Sequence, residues 1–304
     1  TMKHPLIVLA LLVATFNLTA QDDLLDMLEA EESTKNYKVG PTWKTMKLVN
    51  LHSTSMVKKN GLDFRVTHRF GSIGEKSGGG VHNLYGLDIS DDIRISFDYG
   101  ITENLQIGIG RSKYSELIDA SIKYKVLAQK ERKAPLTLVV LGNIATTPQQ
   151  AVDTRYDDWL NTLSYFSQVI IARKLGDRFS FEFAPSLLYR NLVLKTTDID
   201  GVNAKDENVN ISLGFGGRFM ITKRVGIIVD YMYTFSEYRS NYRPINYYDP
   251  FGVGVEIETG GHVFHITMTN AAGIVENNYI PNTTANWGDG GIKLGFNISR
   301  VFQF

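Results

Sequence analysis

The residues best equipped for chemistry are the histidines, six in all, in a chain that has no cysteine. His68 stands in the apolar register of Leu62, Phe64, Val66 and Phe70, with Ser53, Ser55 and Thr67 nearby in sequence. A serine activated by such a histidine would make a lipid hydrolase. No motif, however, sets a nucleophile, its base and an orienting group together. No catalytic residue is therefore expected, and His68 reads as an interfacial imidazole paired with a tyrosine or a carbonyl. His262 and His265 are three apart, which shares a face on a helix but not on a strand, so a common metal would need a bulge. Asp157 with Asp158, and Asp198 with Asp200, read as solvated turn acids in preference to calcium ligands. Gly108 with Gly110, and Gly214 with Gly216 and Gly217, lack the strand, turn and helix that give a phosphate loop its meaning. They read as small inward residues that let a sheet bend. Neither a cofactor nor a metal is expected.

Two further sets of residues could serve transport or binding. Arg65, Arg69, Arg94, Asp98, Glu182, Arg190, Arg218, Asp230 and Glu256 fall on the polar side of strand-like stretches, as do Asp63, Asp119, Lys123, Lys125, Glu258 and Lys293. Their mixed signs fit interstrand ion pairs around a narrow or blocked lumen, or a polar channel without the one-sided ladder of an ion-selective pore. The stretch EYRSNYRPINYYDP holds Tyr238, Arg239, Tyr242, Arg243, Tyr247 and Tyr248. Tyr and Arg are enriched in binding hot spots and stacked Tyr suits glycans, while a tyrosine girdle or loop packing accounts for the same composition.

The elements that must position these residues are two-faced strands. Ile93, Ile95, Phe97, Tyr99 and Ile101 alternate with Arg94, Ser96, Asp98 and Gly100, and Phe179, Phe181 and Phe183 alternate with Ser180, Glu182 and Ala184. The two-residue period recurs from Leu62 onward, and a further candidate strand lies near Leu48 to Val57. Charges deep within strands and aromatic residues near strand ends argue against a soluble exported β-sandwich. The reading is an all-β, antiparallel, up-and-down transmembrane β-barrel of about 12–14 strands. Tight turns near 102–104, 175–178, 221–224 and 258–261 alternate with long connections, as when short turns face the periplasm and long loops face outward. The last strand carries Phe296, Phe302 and Phe304 on its apolar face and is expected to be the membrane-assembly signal.

Composition and the N-terminal stretch agree with that address. Lys3 and His4 precede an apolar run from Leu6 to Ala14 and a polar patch ending at Ala20, which reads as a signal peptide over 1–20 that is removed. Residues 21–41 form an acidic segment in which Leu24, Leu25 and Leu28 suggest a short periplasmic helix, and 42–304 is assigned to the barrel. After the leader no stretch approaches the ~20 apolar residues of a membrane helix. With 32 basic and 32 acidic residues, the chain has no electrostatic footprint for nucleic acid.

The segments TWKTMKLVNLHS, GLDFRVTHRFG, NLYGLD and DYGITENLQIGIGRS, with the acidic DDLLDMLEAEE and the Phe-terminated last strand, resemble a Bacteroidetes family of outer-membrane β-barrels that carry a domain of unknown function. The resemblance implies a barrel and no reaction. The expected function is non-enzymatic, solute passage or an envelope scaffold with its lumen closed by the charged network and by 78–88. The alternatives are an outer-membrane lipid-modifying enzyme and a soluble exported β-sandwich binding module. Expected partners are membrane lipid and lipopolysaccharide, the barrel-assembly machinery, and a periplasmic protein at the N-terminal helix.

Overall fold

The computed structural model describes residues 39–131, 134–148, 158–193, 206–241, 245–259 and 261–304. The stretch Asp22–Ser33, the acids Asp157, Asp198 and Asp200, and Tyr242 and Arg243 of the tyrosine loop lie outside the described residues.

Among the described residues, twelve strands form one closed barrel. They are β1 (Gly61–Ser72), β2 (Ser90–Gly100), β3 (Leu105–Ser112), β4 (Ile118–Leu127), β5 (Thr137–Thr146) and β6 (Ser164–Leu175), then β7 (Phe179–Arg190), β8 (Val209–Met220), β9 (Val225–Phe235), β10 (Phe251–Thr259), β11 (His262–Thr269) and β12 (Lys293–Gln303). Each pairs antiparallel with its sequence neighbours, and β12 closes the sheet on β1 through pairs such as Arg65 with Ser299 and His68 with Phe296. Closure leaves no free edge, which lets strands cross a bilayer with every backbone group paired.

Alternation sets the two faces. Along β9, Ile227, Val229, Tyr231, Tyr233 and Phe235 are exposed on the outside while Ile228, Asp230, Met232 and Thr234 are buried inside. Exposed aromatic residues gather at both ends of the wall, with Tyr99, Tyr124, Phe179, Phe219 and Phe302 at one and Tyr165, Tyr189, Tyr233 and Phe235 at the other. That distribution is the pair of interfacial girdles of a lipid-facing barrel.

The first end also holds the tight turns after β2, β6, β8 and β10, while long connections follow β1, β5, β7, β9 and β11 at the opposite end. Two connections depart from the expected alternation, because 113–117 is brief at the long-loop end and 128–136 is longer at the tight-turn end. The candidate strand at Leu48–Val57 is not a strand. Its residues enter the barrel from the tight-turn end and fold inside it, so the wall has the lower of the expected strand numbers. Nor does 78–88 close the lumen: Val81, Leu84, Tyr85 and Leu87 are exposed at the long-loop rim.

Candidate functional site

The lumen is occupied by two segments that arrive from opposite ends and meet in the middle. The first is a hairpin formed by residues 43–57, held by a bridge between Lys47 and His52. The Leu48 N–H donates to the Leu51 carbonyl at 2.8 Å, and the Ser53 N–H donates to Met46 at 2.9 Å. The second is the connection between β11 and β12, which dips inward and forms the short helix Glu276–Asn282, buried from Glu276 through Pro281. That helix reaches across to β6, β7 and β8.

The inner wall divides into an apolar and a charged half. Leu141, Phe166, Leu188, Ile228 and Met232 on β5 to β9 form one core with Trp43, Leu48, Val49 and Leu51 of the hairpin and Tyr279 and Ile280 of the helix. Full burial of a side chain the size of Leu contributes about 1.5–3 kcal/mol, so these contacts stabilise the hairpin where it sits. Inward glycines make the room. A Cβ on Gly216 would stand 2.5 Å from a Leu48 methyl, and one on Gly252 would stand 2.6 Å from Val49. Their role is thus to admit the hairpin, beyond the wall bending expected for such glycines. Gly108 and Gly110 make similar room for Asp98 and for the Arg94 guanidinium.

Polar grips fix the hairpin tip. Asp230 Oδ2 accepts the backbone N–H groups of Val49, Asn50 and Leu51 at 2.9, 2.6 and 3.0 Å, and Oδ1 accepts Asn50 Nδ2 at 2.7 Å. Successive N–H groups converging on one carboxylate make an anion nest. Arg69 ties the two plugging segments together. It donates to Val49 O at 3.1 Å and Asn50 Oδ1 at 2.9 Å on the hairpin, and to Ala271 O at 2.9 Å and Gly273 O on the inward connection. Glu276 completes the junction, accepting from Lys47 at 3.1 Å and from the Tyr279 hydroxyl at 3.3 Å, with His52 Nε2 at 3.6 Å. On the wall side, Asp92 accepts the Ile274 N–H at 2.9 Å.

The base of the hairpin is gripped in the same manner. Arg218 donates to Thr42 O at 2.6 Å, pairs with Glu256 at 3.3 Å and lies 5.5 Å from the centre of the Trp43 ring. Lys123 donates to Ser55 O at 2.7 Å, and Gln106 accepts the Val57 N–H at 2.9 Å. Between the hairpin and the charged wall remains a cavity of about 30 Å³ lined by Lys47, His52, Arg65, Arg94, Asp98, Asp119 and Glu276. A space of that size holds a water or two and no larger solute.

The inward residues expected from alternation all lie on the inner wall, but they do different things. Arg65 pairs with Asp63 at 3.1 Å and Arg94 forks onto Asp119, both within the wall. Arg69, Arg218 and Asp230 hold the plugging segments. Arg190 pairs with Asp206 at 2.8 Å at the long-loop end. Asp98 accepts from Gln106 at 3.0 Å. Glu182 is 2% exposed, and neither of its carboxylate oxygens has a hydrogen-bond partner.

The other candidates are placed as follows. His68 faces outward and stacks on Phe296 with ring centres 5.4 Å apart, so its neighbour is an aromatic ring and not the expected tyrosine hydroxyl or carbonyl. His262 and His265 part as the strand period requires, and His265 lies inside, 3.5 Å from Glu256 and 3.3 Å from the Thr45 hydroxyl. Among the described residues no cluster of acids and histidines is arranged to hold a metal ion. Tyr238 is buried with its ring 5.8 Å from that of Tyr247, while Arg239 donates to Tyr248 O at 2.6 Å and pairs with Asp249 at 3.4 Å. These loop side chains are engaged with one another. Phe296 and Phe302 face outward, and Phe304 is exposed beyond β12.

The hairpin is the functional element that sequence reasoning missed. Little in the sequence marks it: adjacent apolar residues such as Leu48 and Val49 also occur in wall strands, as at Ile227 and Ile228 of β9.

Residues 43–302 match a family model described as a membrane bound beta barrel domain (DUF5777). No curated protein matches the chain. Among solved structures the chain is similar to the NanC porin at 10% identity, covering 80% of this chain and 99% of that one with a TM-score of 0.47. It is similar to the KdgM porin at 8% identity, covering 80% and 99% with a TM-score of 0.44. It is also similar to an outer membrane channel from Pseudomonas putida F1 at 13% identity, covering 82% and 97% with a TM-score of 0.42. At these identities the likeness is one of barrel fold alone.

Proposed function

Because the chain belongs to the DUF5777 family of membrane-bound β-barrel domains, we propose that it is a non-enzymatic outer-membrane barrel for small solutes whose resting lumen is shut by its own hairpin. The tight-turn end, where the chain enters the hairpin, faces the periplasm, and the long connections face outward. The family match begins at Trp43, so the hairpin is part of the family domain.

One observation carries the reading. The hairpin fills the lumen without joining the sheet: its one bridge is internal, between Lys47 and His52, and the wall holds it through side chains and apolar contacts. A strand of the wall could leave only by opening the barrel, whereas a segment held by Asp230, Arg69 and Arg218 can leave as a unit.

The test is solute flux into proteoliposomes. Intact protein should admit little, and a chain lacking both residues 43–57 and the inward helix Glu276–Asn282 should admit small sugars freely. Because the chain has no cysteine, a disulfide introduced between Asn50→Cys and Asp230→Cys can lock the tip to the wall without competing thiols. Flux that rises when this disulfide is reduced supports a displaceable plug. Equal, negligible flux from the locked, reduced and truncated proteins, all demonstrably folded, would instead make the barrel a closed scaffold.

A further inference from the structure

The tight-turn mouth of the barrel carries a basic surface without partners. Two adjoining recesses open there, with volumes of about 650 and 490 Å³, and Val39, Gly40 and Pro41 run along them on the way into the hairpin. Lys130, Lys174, Arg178 and Lys223 line these recesses, and among the described residues none of the four makes an ion pair. Only Asp177 and Glu131 oppose them in the lining. A concave surface of one sign recruits the opposite charge, the more so when the ligand is tethered beside it.

The sequence upstream supplies that charge, beyond a short linker that holds Lys35 and Lys38. Asp22, Asp23, Asp26, Glu29, Glu31 and Glu32 fall within twelve residues, Asp22–Ser33, that contain no base. From Glu32 to Val39 the chain spans at most about 25 Å when extended, and from Asp22 about 60 Å, so the near end of the acidic stretch stays close to the mouth. Tethering of this kind gives an effective concentration in the millimolar range. We infer that the acidic stretch Asp22–Ser33 docks on the basic recesses at the mouth of its own barrel, with its carboxylates against Lys130, Lys174, Arg178 and Lys223. This inference goes beyond the channel reading and does not depend on it.

The experiment uses the chain from Gln21 onward refolded in detergent, with heat-modifiable gel migration as the check that the barrel has formed. A Glu-specific protease should cut slowly at Glu29, Glu31 and Glu32 in low salt. Cutting should accelerate several-fold in the combined variant Lys174→Glu, Arg178→Glu and Lys223→Glu. It should do the same at about 1 M salt, where the screening length shrinks to ~3 Å. A second variant, Asp26→Cys with Lys223→Cys, should form an intramolecular disulfide, since no other cysteine exists. Cleavage at one rate in the parent, the charge-reversed variant and high salt, with no disulfide in the cysteine pair, would overturn the inference. Neither readout depends on whether the lumen conducts.

Discussion

At the scale of single residues, the inner wall separates charges that hold the plugging segments from charges that hold the wall. Asp230 belongs to the first group, since one carboxylate accepts three backbone N–H groups and an amide from the hairpin tip. Hydrogen bonds to a charged group contribute about 1.5–3 kcal/mol each when buried. Asp230→Asn should therefore weaken the tip's attachment by roughly that amount, and the amides of Val49, Asn50 and Leu51 should exchange with solvent correspondingly faster. Unchanged exchange at those amides would contradict the nest. Glu182 gives the opposite expectation. Its carboxylate is buried without a hydrogen-bond partner, and burying a charge without one is costlier than burying a neutral amide. Glu182→Gln should leave thermal stability unchanged or raise it, as a melting curve would show. The inward position of both residues was legible from strand parity. Their roles were not, because the partners of Asp230 lie some 180 residues away in a segment whose pattern reads as one more wall strand.

At the scale of elements, the wall was readable and its contents were not. Strands with one face to lipid carry apolar residues at every second position, and the twelve were legible in that way although β5 and β9 turn apolar residues inward as well. The Leu48–Val57 stretch satisfied the same rule only in part. Once inside a barrel a segment meets apolar wall on one side and charges on the other, so its pattern answers to local neighbours and not to a pleat. Two substitutions separate the environments. Phe296 is exposed on the outer face of β12, and Phe296→Arg should cost ~2–4 kcal/mol at bilayer depth, read as a lower unfolding midpoint in lipid. Gly252 lies inside, under Val49. Gly252→Ala should leave the barrel's heat-modifiable migration intact yet lift the hairpin tip, at the ~1–3 kcal/mol typical of overpacking. Faster amide exchange confined to the hairpin would report it, and uniform destabilisation of the wall strands would contradict it.

At the scale of the whole molecule, the protein is a lipid-belted cylinder with its core inside the lumen. The outer face is left to the membrane, and the buried hydrophobic cluster joins inward wall residues to the two plugging segments. The sequence told of a membrane barrel through its alternation, its loop lengths and its final strand. Whether the lumen was open could not be read there, because closure depends on where residues 43–57 and 270–284 meet. On the proposed function, this meeting shuts the lumen and its polar grips keep it shut. Single-channel conductance in a planar bilayer tests it most directly, comparing the intact barrel with the double variant Arg69→Gln and Asp230→Asn, each shown to be folded. Silence or rare brief openings from the intact protein, and steady, reproducible openings from the variant, are the predicted result. Steady openings of equal size from both proteins would contradict the account, since the lumen would then conduct past a hairpin that is still in place.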